Sequence, residues 1–364
     1  MPKEAKGIRV REVTAALEAF APLHLAEAWD NVGLLVGDPE AEVARVLTCI
    51  DFTREVLEEA AGAALVVAYH PPIFGGMKRV PAGSEVFAAI RAGIALYSPH
   101  TALDAAKGGT NAVLAEALGL TAARPLKPAG GGDELKLVTF VPEDAVTRVS
   151  EAVFAAGAGE IGEYTQCSFR LPGTGTFFGS DATNPAVGEK GRLEVAPEVR
   201  VETVIPARRV AAVVEALRKA HPYETPAFDL VRLQAAPDAT IGMGRVGEFA
   251  GTKKDLVAQC KKALGLDGVL VAGSIDGKCK RVAVAAGAGA GLLEDALKAK
   301  ADVFVTGELK HHDALKAVSR GMTVVATLHS NSERLALRAL GEAIAKIGVE
   351  VTQSRADRDP YVFA

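Results

Sequence analysis

The sequence predicts an α/β protein: two βαβ-containing halves form a core domain, and a ferredoxin-like βαββαβ domain interrupts it. Short apolar strand patterns alternate with helical patterns in both terminal parts of the chain. Aromatic residues make up only 5% of the 364 residues, so small aliphatic side chains must fill the helix–sheet contacts. Pro/Gly-rich segments at 125–134 and 234–244 bracket a middle part with its own repeat, which predicts linkers on either side of an inserted domain.

The first half of the core domain is predicted over residues 1–130. Apolar positions at Val13, Leu17 and Phe20 predict a helix over 10–20, which Pro22 terminates. A strand at 45–50, a helix at 54–61 and a strand at 64–68 follow. Short apolar runs in this order are typical of a βαβ unit in a parallel sheet that is buried on both faces.

The second half, residues 240–364, repeats this order of elements. The segments RVAVAAG, LLEDALKAK and ADVFVTGEL predict strand, helix and strand. In each half the next strand runs into a histidine, His100 in RAGIALYSPHT and His329 in SRGMTVVATLHS. Both halves therefore place histidines at the carboxyl ends of strands, which is the edge where open α/β sheets assemble ligand sites.

The inserted domain is predicted over residues 133–235. KLVTFVP leads into the helix VTRVSEAVFAAG, and RVETVIP leads into ARRVAAVVEALRKA, with Pro142 and Pro206 at matching positions. Proline is favoured at a helix start because its missing N–H would be unsatisfied there. The strands YTQCSF and AFDLVRL follow the two helices, which completes the βαββαβ order.

Composition narrows the function classes. The net charge of -4 provides no basic field for nucleic acid, so nucleic acid is not an expected partner. The N-terminal segment lacks an apolar signal region, and the apolar run at 282–293 is well short of the ~18 residues of a membrane span. The cysteines are scattered and predict reduced thiols in a cytoplasmic protein without membrane contact: Cys49, Cys167, Cys260 and Cys279.

Histidine and carboxylate residues recur at the predicted strand ends. His70 follows a buried strand and precedes two prolines, while Asp104 and Glu333 each lie four residues after a strand-end histidine. Zinc, iron and manganese accept mixed imidazole and carboxylate ligands. A pair of such ions needs about this many ligands and can activate a bound water. The pattern therefore indicates a site for two divalent metal ions.

Each residue also has a structural alternative. A strand-end histidine such as His70 is often only hydrogen-bonded, Asp104 could cap a helix that begins near residue 107, and Glu333 could be an exposed helix carboxylate. His311 and His312 are adjacent and do not share a helix face, so only one of them is expected to point at a site. The metal interpretation depends on the convergence of these residues at equivalent strand ends.

Five motifs resemble one known family. WDNVGLLVGDP, YHPPIFGGMKRV, YSPHTALDAAKGGTN, TGELKHHDAL and LHSNSER are similar, in this order, to the GTP cyclohydrolase I type 2 homologues, also called the NGG-one-interacting-factor-three-like family. The predicted insert also resembles the PII/CutA-like domain of the long members. The resemblance implies a homohexameric toroid in which each chain carries a di-metal centre.

Carried over by position, the resemblance implies that the metal ligands are His70, Asp104, His329 and Glu333. Tyr69 stands where many members have the first histidine of a tandem pair. A phenol with a pKa near ~10 is a poor metal ligand, so one metal is expected to bind weakly, to be completed by water or to be absent. Asp30, Asn31, His100 and His312 fall in the implied active-site surroundings, and His100 and His312 are the candidate catalytic residues.

The leading functional hypothesis is a metal-dependent hydrolase, of cyclohydrolase or phosphoester type, that acts on a small nucleotide-like substrate. The sequence contains no GxxxxGK[ST] phosphate loop and no arginine cluster beside the metal motifs. The alternative is a non-enzymatic ring assembly, stabilised by metal, that regulates or binds a partner. DNA binding within the ring is a third hypothesis, and the acidic net charge argues against it.

Overall fold

A computed structural model describes residues 7–129, 134–162, 164–233 and 238–362. These residues form two compact units, one of 7–129 with 238–362 and the other of 134–233. The helices are α1 (Val10–Phe20), α2 (Arg54–Glu59), α3 (Glu85–Ala92), α4 (His100–Ala105), α5 (Thr110–Ala117), α6 (Val146–Ala155), α7 (Val210–Ala220), α8 (Lys253–Leu264), α9 (Leu293–Lys298), α10 (His311–Ser319) and α11 (Leu335–Ala345). The strands are β1 (Gly33–Val36), β2 (Arg45–Cys49), β3 (Leu65–Ala68), β4 (Ala95–Ser98), β5 (Thr121–Pro128), β6 (Glu134–Val141), β7 (Phe169–Phe178), β8 (Leu193–Pro206), β9 (Phe228–Arg232), β10 (Gly242–Thr252), β11 (Leu270–Ala272), β12 (Lys278–Ala288), β13 (Val303–Glu308), β14 (Thr323–Ala326) and β15 (Glu350–Gln353).

The first unit contains two sheets. The five-stranded sheet has the order β1-β4-β3-β2-β15, in which β4, β3, β2 and β15 run parallel and β1 is antiparallel at one edge. Every residue of β3 and β4 is buried, as their uninterrupted apolar sequences predict. One face packs on α1 and α11 through Leu17, Val67 and Leu340, and the other packs on α2 and α3 through Val56, Val66 and Ala89.

The six-stranded sheet has the order β11-β14-β13-β12-β10-β5. Its centre, β12, β13 and β14, is parallel, and β10 and β5 extend it with antiparallel pairing. The predicted strand–helix–strand order of the second half is confirmed by β12, α9 and β13. In both sheets the parallel strands are adjacent to one another, so their carboxyl ends form a continuous edge from which side chains can converge.

The predicted linkers are partly wrong. Residues 125–128 belong to β5 and residues 242–244 belong to β10, and the two segments pair with Gly242 opposite Pro128. The physical reason is that β5 is an edge strand, where proline removes no hydrogen bond that a neighbouring strand requires. The parts of the predicted linkers at 130–133 and 234–237 lie outside the described residues.

The second unit is a four-stranded antiparallel sheet in the order β7-β8-β6-β9, with α6 and α7 packed together over it. Its elements follow one another as β, α, β, β, α, β. Its core includes Leu137, Val149, Ile205, Val213 and Leu217, all buried. The two prolines predicted at helix starts each precede a short 3-10 turn that leads into the helix.

One strand of the second unit is predicted at the wrong place. The segment YTQCSF is expected to be a strand, but β7 begins only at Phe169. Within the predicted segment, Gln166 has a φ of +58°, which no strand residue adopts. Before it, Gly159 has a φ of +78° and bonds to two separate segments. Its N–H donates to Val204 O at 2.8 Å, and its carbonyl accepts from Cys167 N at 2.8 Å.

Two further findings concern the chain as a whole. Among the helices that the structure describes, none is long and apolar enough to cross a membrane. All four cysteines are free thiols, and Cys49, Cys260 and Cys279 are buried.

Candidate metal centre

The site lies where the central strands of the two sheets in the first unit end. In the five-stranded sheet, β2 leads to Asp51 and β3 leads to Tyr69 and His70. In the six-stranded sheet, β13 ends at Glu308 and β14 is followed by His329. The prediction that strand-end histidines converge is thus confirmed for His70 and His329, which belong to different halves of the sequence.

Three side chains form a triad that could hold a metal ion: His70, His329 and Glu333. Their ligand atoms all lie within 4.8 Å of one another. Glu333 stands between the two imidazoles, with Oε1 at 3.3 Å from His329 Nε2 and Oε2 at 3.4 Å from His70 Nε2. The Glu333 side chain is only 4% exposed, whereas the two histidines are partly open to solvent. An ion could therefore enter from the histidine side.

The second nitrogen of each imidazole contacts another carboxylate. His70 Nδ1 lies 2.9 Å from Asp51 Oδ1, and His329 Nδ1 lies 3.1 Å from Glu308 Oε1. A carboxylate at Nδ1 favours the neutral tautomer with the proton on that nitrogen, which leaves the lone pair on Nε2, the nitrogen that faces Glu333 and could bind a metal ion. Asp51 and Glu308 therefore orient the two imidazoles.

Two observations show that the triad fits a cation. Glu333 Oε2 is buried and accepts no hydrogen bond of good geometry from any described residue, and its ion-pair contact with His70 Nε2 is long, at 3.4 Å, so a bound cation would satisfy this oxygen better. Gly287 borders the same oxygen pair, and a Cβ at this position would lie 2.5 Å from Glu333 Oε1 and 3.2 Å from His329 Nε2. The backbone thus leaves open the space beside the ligand atoms.

The charges of the triad are strongly coupled. Burial by itself would favour neutral His70, but its contacts with Asp51 and Glu333 raise the pKa of His70 to about 10. Contact with Glu333 likewise raises the pKa of His329 to about 9, against the opposing effect of burial. Without metal, the imidazolium groups thus partly neutralise the buried carboxylate. A metal ion would take over this role and release the protons.

Asp104, the fourth predicted ligand, is not part of the group within 4.8 Å. Its buried carboxylate accepts a short hydrogen bond from the Tyr69 hydroxyl, and that hydroxyl accepts one from Thr110 Oγ1 at 3.2 Å. Burial raises the pKa of Asp104 to about 7, the hydrogen bond from Tyr69 opposes this effect, and the charge of Glu333 adds to it. The hydrogen bond from Tyr69, the residue directly before His70, links Asp104 to the strand end that carries the triad.

The structural alternative for Asp104 as a helix cap is wrong. Asp104 lies within α4, and the next helix, α5, begins at Thr110 after Gly109. Glu333 is also not an exposed helix carboxylate, because it is buried between the 3-10 turn Ser330–Ser332 and the start of α11.

His100 lies beside the triad and is held by Asp30. Its Nδ1 is 2.8 Å from Asp30 Oδ1, and the ring centroids of His100 and His70 are 5.4 Å apart. The Asp30 carboxylate also accepts bonds from Thr101 N at 3.1 Å and from Thr101 Oγ1 at 2.5 Å. Although burial opposes it, these contacts lower the pKa of Asp30, which therefore remains a carboxylate that orients His100.

His312 shows no comparable contact. It is exposed at the start of α10, and its one ring contact within the described part of the chain is with His311, at 5.3 Å. Its predicted catalytic role stays a prediction.

Two residues at the site have a strained backbone conformation. His100 has a φ of +28°, and Leu328, directly before His329, has a φ of +69°. Residues without a glycine's freedom adopt such conformations at a cost of about 1–3 kcal/mol, usually where the surrounding structure needs the side chain in one place.

Sequence reasoning missed Asp51, Glu308, Gly287 and Asn111. Asn111 Nδ2 donates to Asp104 O at 3.1 Å, and Asn111 Oδ1 accepts from Ala286 N at 2.9 Å, so it joins α4 to the end of β12. Asp51 and Glu308 carried a usable signal, since both are carboxylates at the ends of predicted strands. Gly287 and Asn111 carried none, because their roles depend on neighbours far along the sequence.

The fold and the triad define a mixed α/β protein with a candidate metal centre at its strand ends. A sequence profile of the family described as Duf34/NIF3 (NGG1p interacting factor 3) matches residues 8–360. The chain belongs to this family.

Similar proteins support the assignment over the full length. A protein named GTP cyclohydrolase 1 type 2 homolog from Halalkalibacterium halodurans is 36% identical to this chain, over 96% of this chain and 98% of that protein. The one in Bacillus subtilis is 35% identical over 99% of this chain and all of that protein. A crystal structure of a Bacillus cereus protein related to NIF3 matches with a TM-score of 0.70 and 34% identity, over 99% of this chain and 100% of the other. A Staphylococcus aureus structure matches with a TM-score of 0.75 and 30% identity, over 98% and 99% of the two chains.

Proposed function

We propose that this protein is a metal-dependent hydrolase, of cyclohydrolase or phosphoester type, that acts on a small nucleotide-like substrate. The observation that supports it most directly is the triad, in which a buried carboxylate oxygen without a hydrogen bond faces two imidazoles. The name of the relatives, GTP cyclohydrolase 1 type 2 homolog, points to the same reaction class and to a purine nucleotide.

His70, His329 and Glu333 are the proposed ligands of one divalent ion, with zinc, iron and manganese as the candidates for this mixed donor set. Asp104 is the proposed ligand of a second ion. Asp104 accepts a hydrogen bond from the buried, neutral hydroxyl of Tyr69, which stands where many family members have a histidine. Because a phenol is a poor metal ligand, the second ion should bind weakly. A bound divalent ion would make a water molecule acidic enough to act as a nucleophile near neutral pH.

His100 is the proposed proton-transfer residue. Asp30 occupies its Nδ1 at 2.8 Å, so Nε2 is the nitrogen left to accept or return a proton. Thr101 holds the Asp30 carboxylate in place through two hydrogen bonds, and Asp30 in turn fixes the orientation of the His100 ring. A third residue orients the base of a catalytic triad in the same way. His312, which is exposed in the first turn of α10, is proposed as a second catalytic residue.

The proposal includes the arrangement of the chain. We propose that residues 1–130 and 240–364 form the di-metal core domain and that residues 133–235 form a ferredoxin-like, PII-like insert. The βαββαβ order and the strand order β7-β8-β6-β9 support the second part. A cytoplasmic homohexameric toroid is the proposed assembly.

The hydrolase proposal is tested with His329→Ala, and His24→Ala is the matched control because His24 is exposed in a 3-10 turn. Elemental analysis of protein purified without chelators should give metal in the wild type and in the control, and much less in His329→Ala. Hydrolysis of a panel of nucleotides and phosphoesters should be lost together with the metal. Hydrolysis that persists in metal-free His329→Ala would refute the proposal.

A second candidate function is a non-enzymatic, metal-stabilised ring that regulates or binds a partner. It is favoured by large apolar side chains on β7 and β8 of the second unit, where Phe178 and Leu193 are 64% and 65% exposed although they are paired across the two strands. Such side chains are typical of a surface that another chain covers. Metal-loaded protein that is inert toward the whole panel, but dissociates when the metal is removed, would favour this function.

A further inference from the structure

Two aromatic side chains beside the site are unusually exposed. Trp29 is 59% exposed and Phe74 is 61% exposed, and their ring centroids are 5.7 Å apart with an interplanar angle of 41°. Large aromatic side chains bury much apolar area when they are placed inside a protein, so two neighbouring exposed rings lose that stabilisation. A function at the surface would account for their position.

The two exposed rings lie beside the candidate metal centre. The ring centroid of His100 is 6.0 Å from that of Trp29 and 6.2 Å from that of Phe74, and His100 in turn is 5.4 Å from His70. The exposed rings therefore stand at one end of a row of rings that leads to the triad.

The two loops that carry these rings are joined by a hydrogen bond. Asn31 Nδ2 donates to Ile73 O at 2.6 Å, and Asn31 N donates to Asp30 Oδ1 at 2.8 Å. The carboxylate that orients His100 thus also anchors the loop of Trp29, and the loop of Phe74 is tied to it. The spacing between the pair and His100 is consequently set by the same contacts that position the proposed proton-transfer residue.

We propose that Trp29 and Phe74 form a stacking site for the planar heteroaromatic ring of the substrate, a nucleobase or a related heterocycle. This inference rests on the proposed function, because it assigns the part of the same site that recognises the ring. Aromatic side chains bind bases through their faces, whichever base is present. Lys78 and Arg79, on the same loop as Phe74, are exposed and supply positive charge for an anionic group attached to that ring.

The pair is small for a protein partner. The lining of the cleft continues from the two rings along short loops to Met77 and Val80, which are 40% and 43% exposed. A stable protein interface buries about 800 Å² on each partner, which is roughly twice the area that two aromatic side chains can bury. A small planar molecule is matched to this size.

The test uses the intrinsic fluorescence of Trp29, which is the only tryptophan in the sequence. Guanosine monophosphate is added to chelator-treated protein and to metal-loaded protein, and ribose 5-phosphate serves as the matched ligand without a base. Saturable quenching by the nucleotide alone, in both preparations, is the expected result. Phe74→Leu keeps an apolar side chain without a ring and should weaken nucleotide binding about tenfold, whereas Phe74→Tyr should bind as the wild type does.

Several outcomes would overturn the inference. These are the absence of quenching by the nucleotide, equal quenching by ribose 5-phosphate, and unchanged binding in Phe74→Leu with a wild-type unfolding temperature. A lower oligomeric mass of Phe74→Leu would instead assign the pair to a contact between copies and would also overturn it. Because His329→Ala should still show quenching, failure of the hydrolase proposal and failure of this one are distinguishable.

Discussion

Gly287 offers a direct test of how closely the backbone approaches the triad. Its φ is +63°, and a Cβ would lie 2.5 Å from Glu333 Oε1. The backbone cannot easily yield, because Gly287 N donates to Ser332 Oγ at 2.8 Å and Gly287 O accepts from Thr306 Oγ1 at 3.2 Å. The side chain of Glu333 is buried and has little room to move. Gly287→Ala should therefore displace the Glu333 carboxylate.

The expected loss of folding stability in Gly287→Ala has two parts. An alanine in the left-handed region costs about 1–2 kcal/mol. Forcing a methyl group into a packed site adds about 1–3 kcal/mol. Gly93→Ala is the matched control for the first part alone, because Gly93 has a φ of +69° and no atom lies within 4 Å of the position that its methyl group would take. Gly291→Ala, with no atom within 4 Å and no positive φ, should be nearly neutral.

The assay is thermal unfolding with a chelator present, combined with the metal content of each variant. A domain of this size loses about 2–4 °C in Tm for each kcal/mol, so Gly287→Ala should unfold several degrees below Gly93→Ala. It should also contain less metal, whereas Gly93→Ala should keep the wild-type content. Equal Tm values and full metal content in both variants would refute the reasoning about the Gly287 contact.

Two further predictions concern single side chains. Asp51→Asn removes the charge beside His70 Nδ1 and should weaken metal affinity about 10- to 100-fold in a metal titration. Glu58→Gln changes an exposed residue of α2 and should leave the affinity unchanged. Equal affinities of the two variants would contradict an orienting role for Asp51. His221 is held neutral in the second unit, since Nε2 donates to Phe140 O at 3.0 Å and Nδ1 accepts from Tyr223 N at 3.1 Å. Burial lowers the pKa of His221, so below the unfolded-state pKa of about 6.5 the unfolded chain binds more protons and stability falls as the pH decreases. The decrease in Tm from about pH 8 to about pH 5 should be smaller in His221→Gln than in the wild type, and identical decreases would contradict this account.

The convergence of His70 and His329 could be predicted from the sequence because its signal is local. A short apolar run followed by histidine identifies a strand end wherever the strand lies in the sheet, and parallel strands necessarily end at the same edge. His70 and His329 come together for that reason. Their partners Asp51 and Glu308 follow the same rule, but a carboxylate at a strand end is too common to be singled out without its neighbour.

The sequence was misleading where the outcome depends on contacts between distant parts of the chain. Pro125 and Pro128 predicted a linker, yet they lie in β5, because only the strand order shows that this segment is an edge where proline is tolerated. Tyr69 is identifiable from the sequence as a poor metal ligand, but its hydrogen bond to Asp104 could not be foreseen, because 35 residues of chain separate the two.

The sequence by itself determined the alternation of strands and helices, the strand-end positions of the histidines, and the family. Those properties depend on residue types a few positions apart, where apolar periodicity and proline act directly on the backbone. The tertiary structure alone decided that Glu333 is buried between His70 and His329, that Gly287 leaves room beside it, and that Trp29 and Phe74 stand exposed next to His100. These are distances between segments far apart in the chain, and only the packing of whole sheets and helices sets them.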